Sequence, residues 1–182
     1  MTGSLVVVPY DPAWPERFEA VCEQLAAALA RAAVPVLSIE HVGSTAVPGL
    51  AAKPVIDIDI VVDRSQVEAA STVVESLGYA ALGEMGITDR WAFRPPDGAV
   101  RQNTYVVVDG SLCVRDHRAL RDTLRARPDL RDRYGAVKTA MAAVTDDIDV
   151  YVDGKTDIVL EILRLAGIAD DELAELERIN RR

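Results

Sequence analysis

The sequence predicts an α+β fold, and three observations carry that prediction. Segments with strand and helix character are interspersed through the first 110 or so residues, after which only helical periodicity continues. Two strand-like segments, Arg90 to Arg94 and Gln102 to Val108, are joined through Pro95-Pro96-Asp97-Gly98, a turn chemistry that suits adjacent antiparallel strands. A mixed or antiparallel sheet therefore fits better than a doubly wound one. The third observation is the amount of apolar material: 49% of 182 residues is hydrophobic, enough for one domain with a substantial core.

Taken in order, Leu5 to Val8 is a short apolar run closed by Pro9. Asp11 is placed to cap a helix whose first turn accepts Pro12. From about Trp14 to Ala33 the chain is rich in alanine, with Phe18, Val21, Leu25 and Leu29 at helical spacing, and Pro35 ends the pattern. Val36 to Val42 reads as a strand that delivers the chain to Gly43-Ser44-Thr45. A turn or short helical piece through Leu50 precedes a second strand, about Val55 to Val62. Ser65 is the expected cap of a helix to Leu77, stopped by Gly78. Strand-like pieces follow at Tyr79 to Leu82, Arg90 to Arg94 and Gln102 to Val108.

Helical character begins near Val114, with Leu120 and Leu124 on one face and a break expected at Pro128. A second helix places Leu130, Tyr134, Val137 and Met141 on one stripe. A third runs from about Val150 to Ala166 and is closed by Gly167. A charged tail follows, so residues 1–168 are expected to form the domain and 169–182 a helical tail.

The charge balance narrows the functional classes. Twenty Lys and Arg face 29 Asp and Glu, a net charge of -9, so nucleic acid is not an expected partner. No apolar run is long enough to span a membrane and no signal-peptide pattern opens the chain, which leads to a cytoplasmic expectation. Cys22 and Cys113 lack metal or redox spacing and are read as reduced thiols. Against this acidic background, Arg115 to Lys138 holds seven arginines and one lysine against four aspartates. That segment is either a solvated helix face or a docking surface for a polyanion.

The chemistry concentrates between residues 39 and 62. Alternate side chains of a strand share a face, so Asp57 and Asp59 point one way while Ile56, Ile58 and Ile60 fill the other. Two carboxylates about 7 Å apart on one face repel each other unless a proton or cation lies between them. Oxygen ligands at that spacing suit magnesium, which shares its shell with water and substrate phosphate. The plainer alternative is a solvent-facing pair on an amphipathic strand. Gly43 permits close backbone approach, and Ser44 and Thr45 offer hydroxyl and amide donors to an anion, although a simple helix cap would look the same. A Walker loop is excluded by the glycine spacing.

Gly43-Ser44, twelve residues, then Asp57-Ile58-Asp59 resembles the signature of the nucleotidyltransferase superfamily. The chain as a whole resembles the GrpB family, also called UPF0157. The likeness rests on Tyr10-Asp11-Pro12 with Trp14, the block Glu40 to Leu50, and Lys53-Pro54 with Asp57. It continues through Gly83-Glu84, Gly86 and Arg90, Leu120-Arg121-Asp122 with Leu124-Arg125 and Pro128, Tyr134 with Lys138, and Tyr151 with Gly154-Lys155.

The resemblance implies a nucleotidyltransferase-like mixed sheet flanked by helices, with a helical C-terminal part and a metal-dependent phosphoryl-transfer site. Gly43, Ser44 and Thr45 would hold nucleotide phosphates, and Asp57 and Asp59 would bind magnesium and act in catalysis. A third carboxylate is expected on a later strand, where this chain instead offers Asn103 and Tyr105; with His41 these are the possible third-site positions. Arg118, Arg121 and Arg125 share a helical stripe, and Arg121 and Arg125 are candidate phosphate ligands. Arg121 could equally pair with nearby acids of its own helix. Lys138 and Lys155 reach either the phosphates or solvent. Two functions follow: magnesium-dependent transfer of a nucleoside monophosphate from a nucleoside triphosphate to a small hydroxyl-bearing acceptor, or a non-catalytic nucleotide-binding or accessory domain. The second draws on GrpB-like domains fused to dephospho-CoA kinase.

Overall fold

The computed structural model of the chain describes residues 5–181. Five strands form one mixed sheet: β1 (Ser38–Val42), β2 (Ile56–Val62), β3 (Ala80–Gly83), β4 (Arg90–Arg94) and β5 (Gln102–Val108), in the spatial order β1-β2-β5-β4-β3. The β2/β5 pair is parallel and the other three pairings are antiparallel. A parallel pair cannot be closed by a tight turn. The chain between β2 and β5 accordingly makes a helix, α2 (Val67–Ser76), and the β3/β4 hairpin before it returns. Val8 adds a single antiparallel bridge to Ala52.

The period-two pattern of β2 separates two layers. Ile56, Ile58 and Ile60 are buried beneath α1 (Trp14–Arg31) and α2, in a core shared with Trp14, Leu25, Leu29 and Val74. The opposite face carries Asp57, Asp59 and Val61. Over it lie α3 (Leu112–Ala126), α4 (Pro128–Val144) and α5 (Ile148–Leu165), whose own core includes Leu124, Leu130, Tyr134, Ile162 and Leu163. Val61 and Val107 meet Cys113 and Val114, so the first turn of α3 is packed directly on the sheet.

Several local expectations change. Ser65 does not cap α2: it sits in a 3-10 turn over Arg64–Gln66, and the helix starts at Val67 with no side-chain cap. Asp11 accepts the amide of Ala13 (2.9 Å) rather than capping from the helix boundary itself. The residues after Gly167 form α6 (Asp170–Asn180), with Leu173 and Leu176 buried in the same core as α5. The charged tail is a helix, and its two buried leucines pack it onto the helical core.

Candidate functional site

Register brings the sequence's candidate residues into rows. Across the β1/β2/β5 ladder, Val42, Asp57 and Asn103 are neighbours, and so are Glu40, Asp59 and Tyr105. Both rows face the layer of α3 to α5. Asn103 donates from Nδ2 to Asp57 Oδ1 at 2.7 Å. The other Asp57 oxygen lies against Gly43, where an added Cβ would stand 2.2 Å from Oδ2. Gly43 also has φ +69° and ψ -169°, a conformation essentially reserved for glycine. The β1 exit and Asp57 therefore require each other: only a residue without a side chain lets the carboxylate approach the turn.

Asp59 is 1% exposed. Its Oδ2 lies 2.7 Å from His117 Nδ1, whereas Oδ1 is buried with no hydrogen-bond partner. His117 comes from α3 and was not singled out by the sequence pattern, since a lone histidine in a basic helix carries no spacing code. Burial works against its charge, but Asp59, Asp116 and Cys113 outweigh it and raise its pKa well above the ordinary histidine range. Burial also raises Asp57, an effect opposed by the Asn103 hydrogen bond and by His117, and pushes the Tyr105 hydroxyl up to about 12.

A cavity opens beside these groups, walled by Gly43, Ser44, Thr45, Asp57, Asn103, Tyr105 and His117 on one side. The other wall is Lys53 with Tyr134 and Lys138 of α4 and Tyr151 and Lys155 of α5. Each amine lies near an aromatic ring: Lys138 is 4.5 Å from the Tyr134 centroid, and Lys53 and Lys155 are 5.3 and 5.6 Å from that of Tyr151. Lys138 is 2% exposed and its Nζ has no hydrogen-bond partner. Burial, reinforced by Lys155, holds its pKa down at about 6. Lys53 is lowered for the same two reasons. Lys53, which carries no local signal of a site role, is a cavity residue that only the fold reveals.

Other candidates lie elsewhere. Arg121 donates to Glu40, to the carbonyl of His41 and to Asp122, and Arg125 donates twice to the carbonyl of Ala46 at 3.0 and 2.7 Å. Neither lines the cavity. With Arg118, which also binds Glu40, they fasten α3 to the β1 exit, and these hydrogen bonds outweigh burial to bring Glu40 down to about 2. His41 pairs with Ile58 and so occupies the opposite sheet face, stacked on Phe18 at 4.7 Å. Its Nε2 is 2.9 Å from Thr45 Oγ1, which donates to the carbonyl of Val55. Burial and the neighbouring Arg125 and Arg121 lower His41 to about 4, so it is neutral at pH 7 and positions the turn from behind.

A model of the GrpB protein family matches residues 4–165. The chain belongs to the GrpB family. A UPF0157 protein of Halalkalibacterium halodurans is 36% identical over 168 residues, covering 91% of this chain and 84% of that protein. A second, of Pseudomonas aeruginosa, is 40% identical over 162 residues and is spanned to 65% of its length by 86% of this chain. A dephospho-CoA kinase of Mycolicibacterium paratuberculosis is 33% identical over 175 residues, which cover 80% of this chain and 42% of the kinase. Among solved structures, the GrpB protein of Enterococcus faecalis superposes with a TM-score of 0.75 at 32% identity, over 90% of this chain and all of that one. The GLD-2/RNP-8 complex (TM-score 0.55, 82% of this chain and 60% of that one) and Cid1 with its product ApU (0.51, 72% and 42%) are each 12% identical. These two likenesses concern the fold, which is nucleotidyltransferase-like. No helix among the described residues is long and apolar enough to cross a membrane.

Proposed function

We propose that this GrpB-family chain is a magnesium-dependent nucleotidyltransferase that transfers a nucleoside monophosphate from a nucleoside triphosphate to a small hydroxyl-bearing acceptor. One observation carries the reading: Asp57 lines a single cavity with three lysines, one with an unpartnered amine, and Asp59, on the same strand face and against His117, holds an unpartnered oxygen. Such buried groups are normally satisfied, and carboxylate oxygens beside amines suit a ligand that bears both a cation and an anion. A metal-bound triphosphate is such a ligand.

Asp57 and Asp59 are the residues that would hold magnesium, and their oxygens fit a hard cation, since Asp59 Oδ1 has no other partner. When bound, the ion neutralises phosphate charge and polarises the reacting phosphorus. Lys53, Lys138 and Lys155 would bind phosphate oxygens, and Ser44 and Thr45 border the same space. Tyr105 keeps its proton at neutral pH and serves as a donor toward developing negative charge. In the transfer, the acceptor hydroxyl gives up its proton to water as its oxygen bonds to the α-phosphorus, the bond to the bridging oxygen breaks, and pyrophosphate leaves.

Asn103 favours a second reading, a nucleotide-binding accessory domain without turnover. It stands where a further carboxylate would complete the metal site, and it uses its amide to hold Asp57. The partial match to a dephospho-CoA kinase agrees with an accessory role. Calorimetric titration of each nucleoside triphosphate with magnesium tests both. Binding should weaken at least tenfold in Asp57→Asn and Asp59→Asn, and unchanged affinity in both variants would remove the metal site. Pyrophosphate release in a metabolite pool supports transfer, whereas tight binding without release supports the accessory reading.

A further inference from the structure

His117 connects the carboxylate cavity to a second one, lined on its far side by Ile87, Thr88, Arg90, Cys113, Asp116 and residues of α6. Cys113, Asp116 and His117 occupy positions i, i+3 and i+4 of the first turns of α3, so their side chains share one helix face. One ligand atom of each lies within 4.8 Å of the others. Asp116 Oδ1 is buried without a hydrogen-bond partner, and Cys113 is a buried free thiol whose Sγ is 3.8 Å from His117 Nε2.

We propose that Cys113, Asp116 and His117 form a site for zinc or a similar borderline-soft divalent ion, separate from the magnesium site. The decisive feature is the contact between His117 Nδ1 and Asp59 at 2.7 Å. A metal-binding histidine characteristically donates its other ring N–H to a carboxylate, which sets the tautomer and aims the remaining nitrogen at the ion. Here Asp59 does that, which leaves Nε2 for the ion; the thiol lies beside the ring, 3.8 Å from Nε2 and 3.9 Å from Nδ1.

Sulfur, nitrogen and oxygen ligands together select zinc over magnesium or calcium. Zinc bonds of about 2.0–2.3 Å require ligand atoms roughly 3.3–3.8 Å apart. The Sγ–Nε2 distance of 3.8 Å stands at the upper end of that range, and side-chain rotations of Cys113 and Asp116 would bring the remaining ligand atoms, now within 4.8 Å, into it. Three protein ligands leave the fourth position to a water or an anion in the second cavity. Arg90, which also lines that cavity and lies 4.6 Å from the Tyr105 ring centroid, offers such an anion its positive charge. The ion would be held by α3 alone, with the His117–Asp59 hydrogen bond as its link to the sheet.

Chelator-treated full-length protein carrying Cys22→Ser, so that Cys113 is its only thiol, is titrated with Co2+ and then with Zn2+. The expected result is one equivalent of Co2+ with a thiolate-to-cobalt charge-transfer band, displaced by Zn2+. Cys113→Ser should abolish the band. Asp116→Asn should weaken binding at least tenfold with the circular dichroism spectrum unchanged, which separates ligand loss from misfolding. Asp59→Asn should weaken Co2+ by roughly 10- to 100-fold through the tautomer, whereas Asp57→Asn should leave the band intact. Absence of a thiolate band, or a band that persists in Cys113→Ser, overturns the proposal, as does unchanged affinity in Asp116→Asn. Because Asp57→Asn addresses the magnesium site alone, loss of one site is distinguishable from loss of the other.

Discussion

Lys138 shows how a single residue can be unfavourable for stability and useful for binding. Its amine is buried, unpartnered and surrounded by Lys53 and Lys155. Its folded pKa, about 6, is below the ordinary lysine value of 10.5. Between those values the unfolded chain binds the additional proton, so this group lowers stability as pH falls from about 10.5 to 6. Lys138→Met should remove that slope and stabilise the ligand-free protein by about 1 kcal/mol, as read from urea melts at pH 7 and 9. The same variant should weaken triphosphate binding at least tenfold. Gly43 behaves oppositely. Alanine there meets both the positive φ and the Asp57 carboxylate, and Gly43→Ala should cost about 1–3 kcal/mol from the backbone alone. A urea midpoint equal to wild type would refute that close approach.

At the scale of elements, the arginine stripe of α3 has a structural use. Arg118 and Arg121 converge on Glu40, and Arg125 caps the carbonyl of Ala46, so α3 is held at the end of β1 where the Gly43 turn begins. Glu40 is depressed from 4.5 to about 2. The sign follows from the folded group being the stronger acid. Its stabilisation is fully present above pH 4.5 and is lost as pH falls toward 2. Partial exposure of Arg118 screens the interaction, so Glu40→Gln should cost on the order of 1–2 kcal/mol at pH 7. The wild-type and variant acid-denaturation curves should converge near pH 2, and parallel curves across that window would refute the assignment.

At the scale of the molecule, two cores lie on opposite faces of one sheet, and the cavity lies between the sheet and the helical core. α6 belongs to the helical core through Leu173 and Leu176. Leu173→Ala should lower stability by about 2–5 kcal/mol in a single cooperative transition. A separate early transition for the C-terminal residues would show α6 to be peripheral. Because α4 and α5 supply Tyr134, Lys138, Tyr151 and Lys155, the stability of this layer also sets the geometry of the lysine wall.

Local patterns in the sequence determined the α+β class, the strands around residues 39–62 and the helices that follow, because strand alternation and helix periodicity are written in neighbouring residues; they left the sheet mixed or antiparallel, and packing decided the parallel β2/β5 pair. They also placed Asp57 and Asp59 on one face and paired them with Gly43, since two-residue spacing and a glycine before a turn are local signals. Tertiary structure alone decided which charges serve the cavity. Arg121 and Arg125 looked suited to phosphate but are satisfied by Glu40 and by the backbone carbonyls of His41 and Ala46. His41 stands next to the turn in sequence and on the far face of the sheet in space. Lys53 and His117 are separated by 64 positions and line one cavity. The physical reason is that periodicity fixes the direction of a side chain within its own element, whereas its partners depend on how the elements pack.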